Sequence, residues 1–388
     1  RIDKMKLKAI SSSVLLALLP VSGVYAAAMD RSGQSISAFL QPNNYFEGGI
    51  SILDPSVSGK NAVGEKISDM GEDYYFPSAA LKIQATDNIS LGLIYDQPFG
   101  ADAHYSDGIM ILPARAGGNK NLSGTDVEVK TNNLTALIGF QPNKNINIYA
   151  GAAYQDVKGS IKLASIPYEA KLSKDDSFGW LVGAAYQIPD IALKVALTYR
   201  SEIEHELETQ ESLLGGAFST SKDTKVKTPQ SLNLDFQTGI MANTVIFANV
   251  RWVEWGGYGI DIEKFRTYSK NLAPFGLPAA GQNIIDYDKD QWSANVGVGR
   301  KFNDQWAGNF SVGWDSGAGN PVTALGPTEG YWNVGLGAQF SPTPATFIAG
   351  GVKYFMLGDA EGRSTGLTVG EFEDNDALAY GLKIGYKF

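Results

Sequence analysis

Two histidines, His104 and His205, and no cysteine are all this chain offers for imidazole or thiol chemistry. His205 has Glu204 and Glu206 beside it, but sequence neighbours in a strand point to opposite faces. No Gly-x-Ser-x-Gly elbow is present, so neither a nucleophile with its base nor an activated water can be assembled from motifs. The chain is therefore read as no enzyme, and no nucleotide, metal or cofactor motif is visible. The residues with chemical promise are cations within alternating segments. Ile191, Leu193, Val195, Leu197 and Tyr199 form one apolar face, which leaves Lys194, Thr198 and Arg200 on the other. Lys289 shares the parity of Gln291 and Ser293. A carboxylate on an apolar molecule needs such a partner, because an unpaired buried charge is costly. Each cation has an alternative use as an interior salt bridge, Arg200 with Glu202 or Glu204 in particular.

Two further features point to apolar cargo. Ile109-Met110-Ile111-Leu112-Pro113 falls in a segment outside the strands. Leu213, Leu214, Ala217 and Phe218 fall in a second, and Leu272, Pro274, Phe275, Leu277 and Pro278 in a third. Either these loops pack on each other as a lid, or they expose an apolar landing patch; a lid can also be a landing site. Separately, Ile89, Leu91, Leu93 and Tyr95 alternate cleanly until Gln97-Pro98-Phe99-Gly100 interrupts them. Proline cannot donate to a ladder and glycine permits a bulge. Either the strand ends there, or the wall is kinked and opens sideways.

The elements that must position these residues are strands. Tyr380, Leu382, Ile384, Tyr386 and Phe388 alternate with Gly381, Lys383, Gly385 and Lys387, and the same dyad recurs around Trp292, Trp306, Trp314 and Trp332. Ten-residue segments of this kind are the signature of a transmembrane barrel. Strands are expected at 46–54, 73–84, 89–105, 127–140, 145–163, 177–187, 191–208, 226–240, 243–255, 289–302, 305–315, 330–340, 345–357 and 376–388. Six short links (85–88, 141–144, 188–190, 241–242, 303–304, 341–344) alternate with seven long ones (55–72, 106–126, 164–176, 209–225, 256–288, 316–329, 358–375). Short turns on one side and long loops on the other distinguish such a barrel from a soluble sandwich. Closure satisfies every backbone group in lipid.

The 388 residues carry a net charge of −9, with 44 glycines and no Lys/Arg-rich block, so nucleic acid is excluded as a partner. Residues 1–4 precede Met5 and are read as lying outside the leader. Lys6 and Lys8, the apolar run Val14 to Leu19, and Val24-Tyr25-Ala26 give a secretory signal over residues 1–26. An export signal without a spanning helix leaves a secreted protein or an outer-membrane one, and the alternation selects the latter.

Several segments resemble the FadL-type long-chain fatty acid transporters. Ala196-Leu197-Thr198-Tyr199-Arg200-Ser201-Glu202 is similar to their Leu-x-Tyr-Arg-Ser strand, and Pro98-Phe99-Gly100 with Tyr105 to their kinked third strand. Leu53-Asp54-Pro55-Ser56-Val57, Thr228-Pro229-Gln230-Ser231, Arg251-Trp252-Val253-Glu254-Trp255, Lys289-Asp290-Gln291-Trp292, Trp314-Asp315-Ser316 and Gly330-Tyr331-Trp332 follow in family order. The resemblance implies an all-β transmembrane antiparallel barrel of 14 strands, over residues 46–388, with an N-terminal hatch in its lumen. It also implies uptake of hydrophobic molecules at the bacterial outer membrane. They dock on apolar outer loops (Leu112, Leu213, Leu214, Phe218, Leu272, Phe275, Leu277), bind inside, and leave sideways at Pro98, Phe99 and Gly100. Arg200, Lys289 and Lys162 are the internal carboxylate candidates; Lys162 lies near the family's internal basic position on the fifth strand. By parity it faces lipid, and it reaches the lumen only if a bulge intervenes, as at Gly159. The family's Asn-Pro-Ala hatch segment has no counterpart here, where residues 27–45 are all that is available. The expected partners are fatty acids, alkanes or aromatics and the membrane lipid, with the chain a monomer. A porin for small polar solutes is the alternative, favoured by the polar inner face and the short hatch.

Overall fold

The computed structural model describes residues 28–111, 118–213, 215–216, 218–271, 274, 283–364 and 366–388. Fourteen antiparallel strands close a barrel: β1 (Tyr45–Ser56), β2 (Tyr74–Gln84), β3 (Ile89–Asp96, then Gly100–His104), β4 (Asp126–Asn143), β5 (Ile146–Leu163), β6 (Tyr168–Ile188), β7 (Leu193–Arg200, then Ile203–Leu213), β8 (Phe218–Thr228, then Ser231–Met241), β9 (Thr244–Val253), β10 (Gln291–Lys301), β11 (Trp306–Asp315), β12 (Tyr331–Phe340), β13 (Thr346–Leu357) and β14 (Asp376–Lys387). Closure is made by β1, which pairs with β14 through Tyr45↔Lys387 and with β2 through Tyr45↔Lys82. The signal segment lies outside the described residues.

The outward face is apolar between two aromatic belts. Leu91, Ile138, Val296 and Leu336 are each roughly half exposed, as side chains in contact with lipid are when no lipid is present. Trp180, Trp292, Trp314 and Trp332 ring the loop end, and Phe302, Trp306, Phe340 and Phe388 the turn end. At one tight turn Asn243 takes φ +60°, a conformation asparagine tolerates better than most residues.

Two of the expected long loops are absent. Residues 164–167 and 214–217 are four-residue links, because β6, β7 and β8 run higher than the sequence suggests. Beyond the belt the polarity of the wall reverses. Glu202, Glu204, Glu206 and Glu208 face out, while Ile203, His205, Leu207 and Thr209 are buried within. Charges on the outside place these arms in water rather than lipid. Their apolar inner face joins the packed loops in the largest buried cluster, built around Phe99, Val127, Ile161, Leu207 and Trp255. Helix α1 (Glu263–Asn271) closes part of the mouth. Its Phe265 packs on Tyr168 at 5.0 Å, and the Phe265 N–H and the Tyr168 hydroxyl both donate to the Glu211 carboxylate. Burial pushes the Glu211 carboxyl above its usual range, and these two donors oppose that.

Candidate functional site

The third strand is broken where Pro98 predicts. Its first half pairs with β2 from Ala79↔Tyr95 to Gln84↔Ser90, and with β4. Its second half pairs with β4 alone, from Gly100↔Lys130 to His104↔Asp126. Above Ala79 the wall between β2 and β3 is therefore unladdered until the Gly71↔Ala103 bridge, where the His104 N–H meets the Met70 carbonyl at 3.0 Å. Phe99 turns inward, 4% exposed, with its ring edge-on to Trp255 at 5.5 Å.

The N-terminal segment fills this gap. Asp30 bridges Phe99 in antiparallel fashion: the Arg31 N–H donates to the Pro98 carbonyl at 2.8 Å, and the Gly100 N–H to the Met29 carbonyl at 2.9 Å. The Arg31 guanidinium sits 4.7 Å over the Tyr74 ring, and the Tyr74 hydroxyl donates to the Asp102 carbonyl across the gap. A cavity of about 50 Å³ remains beside these contacts, lined by Ala28, Arg31, Tyr74, Ala101 and Leu325 among others.

The same segment is latched to the opposite wall by Arg251, which is wholly buried. Its Nε and Nη2 donate to the two Asp30 carboxylate oxygens at 2.7 and 3.2 Å; Nη1 donates to Asn233 and Nη2 also to Gln34. Arg200 donates to the Gln34 carbonyl at 2.8 Å and Asn233 to that of Gly33. Lower down, Lys194 holds the Leu40 carbonyl and Lys82 that of Gln41. Between these polar ties Phe39 drops into a notch made by two wall glycines. A Cβ at Gly92 would come within 2.4 Å of the Phe39 ring and one at Gly139 within 2.9 Å, and the ring meets Tyr149 edge-on at 5.8 Å.

The structure separates the sequence-derived candidates. Pro98, Phe99 and Gly100 converge with residues 29–31. Arg200 faces the lumen as parity requires, but its partner is a backbone carbonyl. Glu202 and Glu204 point outward and pair with Lys227 and Lys225, because the break after Arg200 shifts the parity of β7. Lys162 is corrected: the irregularity at Gly159 exists, yet it is taken up by β6, whose inward parity switches, so Lys162 stays outside beside Glu169. Lys289 is corrected too. It lies in the loop before β10 begins, exposed to water, so strand parity does not apply to it. Leu213 is on β7, half-buried against the mouth cluster. Leu112, Leu214, Leu272, Phe275 and Leu277, and the side chain of Phe218, lie outside the described residues. His205 is held by Asp175 and Gln155, and His104 lies beside Asp126 on the surface. Arg251 and Asp30 are the residues that sequence reasoning passed over. An outward Trp252 was the signal that places Arg251 inside.

The family model for the outer membrane protein transport proteins OMPP1/FadL/TodX matches residues 26–388. Among solved structures, a Pseudomonas aeruginosa FadL homologue superposes with a TM-score of 0.72 at 16% identity, covering 94% of this chain and 98% of the other. The toluene transporter TodX of P. putida gives 0.61 at 13% identity over 89% and 90%. The Ralstonia pickettii toluene transporter TbuX gives 0.61 at 11% identity over 96% and 98%. No curated relative matches the chain.

Proposed function

Because this chain belongs to the OMPP1/FadL/TodX family of outer membrane transport proteins, we propose that residues 28–44 are a hatch, and that hydrophobic molecules pass it and leave through the wall at Pro98–Gly100. Transport of hydrophobic compounds across the outer membrane is the family's function. Long-chain fatty acids as the cargo, and the sideways exit, are our reading. Cargo docks on the apolar mouth, enters the lumen, and meets a segment that both plugs the barrel and completes its wall.

The observation that carries this is the shared backbone pairing of Met29 and Arg31 with Pro98 and Gly100. One displacement of the segment removes the plug and takes away the surrogate partner of β3, exposing the unladdered wall just above the Ala79↔Tyr95 pair. A molecule leaving there goes from a greasy mouth into lipid without crossing the polar lower lumen. The cost of water contact for apolar surface, about 25 cal/mol per Å², favours that route over the turn end. The test replaces Gln97-Pro98-Phe99 by a regular alternating strand sequence. The expected result is a folded, heat-modifiable barrel that no longer supports uptake of labelled oleate by cells; unchanged uptake refutes the exit.

A further inference from the structure

Most cations facing the lumen are already used. Arg251 holds Asp30, Arg200 and Lys194 hold hatch carbonyls, and Lys383 holds Glu47 at 3.1 Å. Lys353 differs. It lies on the inward face of β13, between the outward Val352 and Tyr354, and is 3% exposed. It has no hydrogen-bonding or ionic partner among the described residues. Its cross-strand neighbours are Gly335 and Ala379. A Cβ at Gly335 would meet Lys353 Cγ at 2.9 Å, Lys353 Cε at 3.3 Å and Ser311 Oγ at 2.8 Å, so the lysine stem lies across the glycine toward Ser311. One row nearer the mouth stands Asn333, 3% exposed, whose side-chain oxygen also lacks a partner. Phe355 and Ala379 beside them belong to the apolar cluster of the mouth.

We propose that Lys353 binds the carboxylate head of an amphipathic passenger whose tail extends into that apolar cluster. A buried ammonium without a counter-charge is costly, and an incoming carboxylate supplies one. A half-turn of the Asn333 amide presents its N–H2 to the same carboxylate, and the Ser311 hydroxyl adds a third donor. The site rests on the reading of the lumen as the passage and adds to it the class of head group recognised, an anion rather than a neutral hydrocarbon.

The test measures laurate and 1-dodecanol binding to detergent-purified protein by intrinsic tryptophan fluorescence. Lys353→Met should weaken laurate by about tenfold to a hundredfold, the loss of a charge-assisted hydrogen bond, and leave dodecanol unchanged. Lys353→Arg should keep the preference for laurate. An equal fall for both ligands, or unchanged laurate binding in a heat-modifiable Lys353→Met barrel, overturns the proposal. If the variants do not fold, the wild-type protein decides: laurate, but not dodecanol, should protect Lys353 from acylation by an amine-reactive ester, and equal labelling overturns the site. Since the wall substitution at Gln97–Phe99 tests passage and leaves Lys353 in place, failure of the head-group site and failure of the exit are read separately.

Discussion

Replacing Arg251 by methionine removes the cation from the latch while keeping most of the stem volume. Asp30, itself 1% exposed, then stays buried with neither guanidinium bond, and Asn233 and Gln34 each lose a donor. Breaking one side of a buried ion pair costs about 3–5 kcal/mol. Because Asp30 regains water when residues 29–34 lift away, the cost falls on the latched state rather than on the barrel. At 1.4 kcal/mol per decade, a loss of roughly 3–4 kcal/mol raises the unlatched population by a factor of about 10²–10³. Hydrogen exchange followed by mass spectrometry in detergent reads this directly. The amides of Arg31 and Gly100, which bond to Pro98 and Met29, should exchange faster by that factor, while amides of β10 to β13 should not change. A further Asp30→Asn change should recover part of the protection, since it removes the stranded charge. Unchanged exchange at Arg31 and Gly100 refutes the latch, and uniform acceleration over all strands refutes its confinement to the hatch.

Gly92→Val places side-chain atoms where the Phe39 ring lies, so the hatch should seat poorly. Conductance in planar bilayers should rise with the heat-modifiable barrel intact, and an unchanged trace contradicts the notch. The Glu211 carboxyl is shifted up by burial, so the packed mouth as a whole favours its protonated form, although the Phe265 N–H of the helix opposes that shift. The contribution is present at and below the ordinary glutamate value of 4.5 and is lost as pH rises through the shifted one. Protease cleavage of residues 254–290 should therefore increase over that interval, and Glu211→Gln should flatten the dependence.

What was legible in the sequence follows from what each face touches. Between the belts one face meets lipid and the other meets water or the hatch, so Trp292 to Val298 and Tyr380 to Phe388 alternate without ambiguity. The upper arms of β6, β7 and β8 were read too short because the rule inverts above the membrane. There Glu202 to Glu208 face water and Leu207 packs within, and the same inverted alternation carries β7 on to Leu213, into the span 209–225 that the sequence assigns to a loop. Parity also failed across irregularities. The break after Arg200 moved Glu202 and Glu204 outside, and the register shift at Gly159 acted on β6 instead of on Lys162. The kink was legible because proline states its own constraint. The way residues 30–35 seat in the barrel was not, because Asp30 to Ser35 have no period and are ordered by partners some two hundred residues away, of which Arg251 is the chief. Lys353 was hidden for a related reason: what marks it is a missing partner, which only the surrounding strands reveal.

The coupling of plug and wall is tested most directly by tying them together. The chain has no cysteine, and Asp30 and Phe99 are antiparallel bridge partners, at a spacing that suits a disulfide. In the variant Asp30→Cys/Phe99→Cys, oxidation should abolish oleate uptake by cells, and reduction of the same cells should restore it. Equal uptake in the oxidised and reduced states, with the crosslink confirmed by mass spectrometry, contradicts the account.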